Sequence, residues 1–128
     1  MRALSLLLIP LLGATLLAGD RWEASHSIGG VVLTGDYEEF PVNGLIEQSI
    51  EVDLQGAPAG ARVVFELDGA RFGSAVADAG GRARLTAAYH QVPPDPQGRP
   101  DGRRVNDGSV LRASVGSRAI EAVFQPVP

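Results

Sequence analysis

The sequence predicts an all-β protein built as a two-layer antiparallel sandwich, and three observations predict it. First, residues 61–88 (ARVVFELDGARFGSAVADAGGRARLTAA) hold three short stretches whose apolar residues recur at every second position. That period is what a half-buried strand requires, because successive side chains point to opposite faces. Second, turn signals divide those stretches: Asp68-Gly69, then Asp78-Ala79-Gly80-Gly81. Asp-Gly between alternating runs is the strongest short hairpin signal, since both central residues of such a turn take positive φ. Third, no helical period appears anywhere after the apolar leader.

The leader itself stands apart. Met1-Arg2 supplies one positive charge, and residues 4–18 (LSLLLIPLLGATLLA) form an uncharged, Leu-rich run. Ala18 and Gly19 then give a small-residue exit before Asp20-Arg21-Trp22-Glu23. This pattern describes a secretory signal peptide over 1–19, with cleavage expected after Gly19. The run is short for a membrane span, which takes roughly 20 apolar residues. An uncleaved anchor is the alternative, with Trp22 at the membrane surface, so membrane contact is expected only in that case. Leu17-Ala18-Gly19 resembles the start of a bacterial lipoprotein box, but Asp20 stands where the lipid-bearing Cys belongs.

Past the leader, 20–27 reads as a polar linker and 28–128 as the domain. The first strand is expected at 28–34, weakened by Gly29 and Gly30. A loop at 35–44 contains Tyr37, Phe40 and Pro41. Residues 45–54 alternate well, with Ile46, Ile50, Val52 and Leu54 on one face and Glu47, Glu51 and Asp53 on the other. A Pro/Gly turn at 55–60 follows. Strand 62–68 turns Val63, Phe65 and Leu67 inward, strand 70–77 does so with Phe72 and Val76, and strand 82–89 with Ala83, Leu85, Ala87 and Tyr89. The segment 91–108 is a long loop, because its clustered prolines cannot donate to a ladder. Strands at 109–115 and 118–124 close the domain around Gly116-Ser117. About seven short strands with regularly spaced turns favour an Ig-like antiparallel β-sandwich. A small barrel is the alternative.

The same segments carry a family resemblance. Gly60-Ala61 leads into Val63-Val64-Phe65; the Asp68-Gly69 hairpin follows, then a turn over 73–81 and the strand Ala83-Arg84-Leu85-Thr86. This order resembles bacterial Ig-like domains of the invasin and intimin type, and 107–124 (DGSVLRASVGSRAIEAVF) resembles that family's last two strands. The resemblance implies a non-catalytic β-sandwich module that binds or spaces within the cell envelope.

Composition narrows the function classes. There is no cysteine, so an exported domain here lacks the usual disulfide staples. A domain of this size is expected to bury roughly 65% of its unfolded surface, enough to fold without them. The chain carries a net charge of −4, and without Arg2 the value is −5; every basic residue is Arg. Nucleic acid is not an expected partner, since the chain is acidic and its arginines have no interleaved aromatics for base stacking.

Catalytic chemistry finds no footing in the pattern. There is no Cys and no Gly-x-Ser-x-Gly elbow, and His26 and His90 are far apart in sequence. Zinc would use Cys or closely spaced His. Asp95, Asp101 and Asp107 share the long loop, but 95–102 (DPQGRPDG) lacks an EF-hand's alternating acids, and Arg99, Arg103 and Arg104 oppose cation binding there. Turn-forming Asp is the simpler reading. No metal or other cofactor is therefore expected.

Binding residues are sought on loops, where rigid sandwiches usually present function. Arg99, Arg103 and Arg104 could capture a carboxylate, phosphate or acidic glycan; solvated surface arginines are the plainer reading. Trp22, Tyr37 and Phe40 are the aromatics expected to be free for exposure, because Phe65, Phe72, Tyr89 and Phe124 fall on inward phases. The candidate binding residues are thus Tyr37, Phe40, Arg99, Arg103 and Arg104. The expected function is a non-catalytic, exported binding or structural module meeting a protein partner or cell-envelope component. The alternative is a small carbohydrate-binding or hydrolytic accessory protein, which a cleft lined by Tyr37, Phe40 and a carboxylate would favour.

Overall fold

A computed structural model of the protein describes residues 20–92 and 104–128. The leader 1–19 lies outside them. Among the described residues there are nine strands and no helix: β1 (Asp20–Ile28), β2 (Val31–Val42), β3 (Leu45–Gln55), β4 (Arg62–Leu67), β5 (Ala70–Val76), β6 (Arg82–Val92), β7 (Val110–Val115), β8 (Arg118–Val123) and β9 (Gln125–Pro126).

The strands form two antiparallel sheets, one ordered β6-β3-β2-β1-β9 and the other β5-β4-β7-β8. The chain builds a β1-β2-β3 meander, crosses for the β4–β5 hairpin, returns to lay β6 beside β3, and crosses again to set β7 beside β4. This is an all-β, two-sheet sandwich compatible with an Ig-like fold.

Between the sheets the inward phases interdigitate. Val63, Phe65 and Leu67 of β4 and Leu111 and Ala113 of β7 face Leu33, Ile50, Val52 and Leu54. Phe124, wholly buried, sits where the chain leaves β8 for the opposite sheet. Its backbone is held at both ends, its N–H donating to the Ser109 carbonyl (2.8 Å) and its carbonyl accepting from the Gly108 N–H (3.0 Å). Gly35 of β2 makes this packing fit. A Cβ there would lie 2.8 Å from both Leu111 Cδ2 and Phe124 Cζ, inside any van der Waals contact.

Two expected features are corrected. The linker 20–27 is strand β1, paired residue for residue with β2 from Asp20↔Glu39 to Ile28↔Val31. Gly29 and Gly30, expected inside a strand, form the turn between them with φ of 56° and 81°, the left-handed pair of a tight hairpin. The loop 35–44 is mostly strand as well, since β2 runs to Val42 and only Asn43-Gly44, at φ 52° and 79°, turn the chain. The first change adds one strand and the second lengthens β2; with the short β9 (Gln125–Pro126), which was not expected, the seven expected strands become nine among the described residues.

Smaller corrections concern phase and length. Val76 is 56% exposed, because the β4–β5 register shifts at Phe65/Glu66. Phe72 is the extra residue of that bulge, so Gly73, Ala75 and Ala77 take the inward phase beyond it. The start of the 91–108 loop is also strand, as β6 extends through Gln91 and Val92.

Candidate functional site

The site is built at the end of the sandwich where β6 leaves the body and the described chain resumes at Arg104. On β2 the inward phase runs Leu33, Gly35, Tyr37, Glu39, so the third and fourth inward positions are polar. Glu39 pairs across the ladder with Gln48 of β3, whose side chain also faces in. Three polar side chains therefore share a layer that is otherwise apolar, and each must find a partner there.

They find one another. The Tyr37 hydroxyl donates to Glu39 Oε2 at 2.7 Å and accepts from Gln48 Nε2 at 2.8 Å. The other carboxylate oxygen, Oε1, accepts from Arg104 Nη2 at 3.0 Å. Tyr37 is 1% exposed and Glu39 7%. Burial, foremost, pushes the Tyr37 phenol well above its ordinary range; the Gln48 hydrogen bond opposes this and the Glu39 carboxylate adds to it. Beside the network, the Trp22 ring lies 5.6 Å from that of Tyr37, and its Nε1–H donates to Asp107 Oδ1 at 2.7 Å. Arg104 and Asp107 together fasten the incoming chain to β1 and β2.

A second polar region covers the outer face of the five-stranded sheet. The register sets Glu23, Asp36 and Glu51 in one row across β1, β2 and β3. Like charges directly opposite one another destabilise a ladder, and Arg21 counters two of the three. Its Nε and Nη2 hold both oxygens of Asp36 at 2.9 and 2.7 Å, and Nη2 also reaches Glu23 at 2.8 Å. The Asp36 hydrogen bond, then its charge, raises the Arg21 pKa further above its ordinary value. Asp53, one row on, is held by Arg82 and Arg84. The row borders an open depression of about 330 Å³. Among the described residues, no group of three or more His, Cys, Asp or Glu is arranged to hold a metal ion.

The candidate residues fall in different places. Tyr37, expected to be free for exposure, is interior, and so is Trp22 at 8% exposed, because the added strand β1 and the long β2 carry both into the core. Phe40 takes the opposite phase of β2 and is half-buried on the outer face, so Tyr37 and Phe40 line no common cleft. Arg104 does capture a carboxylate, but that of Glu39 in the same chain. Arg99 and Arg103 lie outside the described residues. The structure thus joins Tyr37 to Arg104 through Glu39, which is not among the candidate binding residues. Glu39 shares its phase with Leu33 and Tyr37, and that phase was the signal that could have revealed it.

Compared with known protein families, the sequence matches none, and no curated protein matches it.

Proposed function

We propose that this chain is an exported, non-catalytic Ig-like module that meets a protein partner or cell-envelope component through the segment between β6 and β7. The observation that carries the reading is the fixed base of that segment. The chain that follows residues 93–103 is fastened to the sandwich by Arg104 on Glu39 and Asp107 on Trp22, contacts that hold the start of that chain in one position. A rigid root lowers the ordering cost that binding imposes on a loop. The intervening residues 93–103 (PPDPQGRPDGR) supply prolines that stiffen and arginines that pair with anionic groups. The resemblance to invasin- and intimin-type domains supports the same class, a module that binds or spaces.

The test replaces 93–103 with a Gly/Ser linker of equal length and compares both proteins, immobilised, for retention of envelope proteins. The replacement keeps the wild-type melting temperature and loses the retained proteins. Retention that survives the replacement moves the function elsewhere on the sandwich. Retention of polysaccharide in place of protein establishes the carbohydrate-binding alternative.

A further inference from the structure

We propose that the open edge of β1 pairs with the same edge of a second copy of this chain. β1 is covered by β2 along all nine residues on one side. On the other side β9 reaches only Trp22 and Glu23. The Val127 N–H donates to the Arg21 carbonyl at 2.8 Å, so the peptide groups of Arg21 face the β9 side. Alternate residues of a strand turn their peptide groups the same way. Those of Ser25 and Ser27 therefore face outward, past the end of β9, where no described strand meets them.

This stretch lacks the usual guards. Residues 24–28 (ASHSI) contain no charged side chain and no proline, the features by which exposed edges are normally kept from pairing. They end in Ile28, which is 62% exposed.

The register favours a second copy over an unrelated strand. An antiparallel pair about a two-fold axis through His26 sets Ser25 of each copy opposite Ser27 of the other. Outward peptide groups then meet outward peptide groups on both sides of the axis. The same register sets Ile28 of each copy opposite Ala24 of the other. Ala24 borders a groove of about 370 Å³ that Val123, Pro126 and Val127 also line, and Val123 is 45% exposed. Ile28 belongs to the same face of β1 as Trp22 and Ala24, so it enters on the side where β8 runs. One operation thus pairs the open peptide groups and covers Ile28 and Val123. No carboxylate meets a carboxylate and no arginine an arginine, as a self-complementary interface requires. The two five-stranded sheets become one sheet of ten.

This inference stands apart from the segment 93–103 and survives or fails without it. Sedimentation equilibrium of the purified protein over a wide concentration range reads it directly. A reversible dimer is expected, with slowed amide exchange at Ser25 and Ser27 as concentration rises. Ser27→Pro removes an outward N–H and spares the ladder to β2, and Ile28→Lys charges an exposed position. Each weakens the dimer by roughly tenfold or more, and Ile28→Lys leaves the monomer's melting temperature unchanged. A protein that stays monomeric throughout, or one whose dimer is equally tight in both variants, overturns the proposal.

Discussion

The Tyr37 hydroxyl and the Glu39 carboxylate, two residues apart on β2, meet at 2.7 Å inside the sandwich. Neighbours on one face of a strand rarely need each other, because the apolar layer opposite fills the space. Here two successive inward positions are polar, and the fold satisfies them with Gln48 from β3 and Arg104 from the chain returning to the body. The consequence is that a core hydrogen bond and the anchoring of Arg104, where the described chain resumes, depend on the same carboxylate.

Removing the hydroxyl therefore strands two buried groups at once. Tyr37→Phe leaves Glu39 Oε2 without its donor and Gln48 Nε2 without this acceptor. The cost is about 1–3 kcal/mol, read as a lower urea midpoint with an unchanged slope.

The same phenol gives an alkaline signature. Its pKa in the folded protein lies above the unfolded value, which is about 10. The folded state then holds its proton more tightly, so the contribution is complete below pH ~10 and is lost as pH rises beyond it. Stability measured by chemical denaturation falls across that alkaline range in the wild type and falls less steeply in Tyr37→Phe.

Gly35→Ala tests the close approach of β2 to the opposite sheet. The new methyl group meets Leu111 and Phe124 at 2.8 Å, and overpacking of this kind costs about 1–3 kcal/mol. Leu111→Val in the same chain relieves part of the loss, so the double variant melts above Gly35→Ala alone.

Trp22 is the only tryptophan, and its burial on β1 makes it a direct reporter of that strand. Native emission is expected to be blue-shifted and poorly quenched by iodide, with a red shift on unfolding. Exposed-tryptophan emission from the folded protein contradicts the placement of β1. Asp107→Ala removes the acceptor of the indole N–H and lowers stability by about 1 kcal/mol.

The central strands were legible because two signals agreed there. In 61–88 the alternation and the Asp68-Gly69 turn specify the same hairpin, and Val63, Phe65 and Leu67 take the inward phase expected of them. The N-terminal hairpin was hidden by its own packing. Its inward positions include Gly35, small because Phe124 and Leu111 press on it, and Glu39, polar because Arg104 comes to meet it. A hydropathy pattern cannot show either reason. Gly29-Gly30 and Asn43-Gly44 are turn signals by residue type, yet they carry weight only when the runs beside them are recognised as strands. The Val76 phase failed for a different cause, since one extra residue at Phe72 reverses every later side chain. Arg104 shows the limit for the site: its partner lies 65 residues away, and charge spacing alone does not name it.

A double-mutant cycle on Glu39→Gln and Arg104→Met reads the account most directly. The single losses are expected to differ, because Arg104, with 29% of its side chain exposed, can turn to water while Glu39 at 8% cannot. Arg104→Met thus costs more, about 3 kcal/mol against about 1–2 for Glu39→Gln. The double variant recovers part of the sum, giving a coupling of at least ~1 kcal/mol. Strictly additive losses would show that Arg104 does not rest on Glu39, and that the segment's root is not fastened to the core.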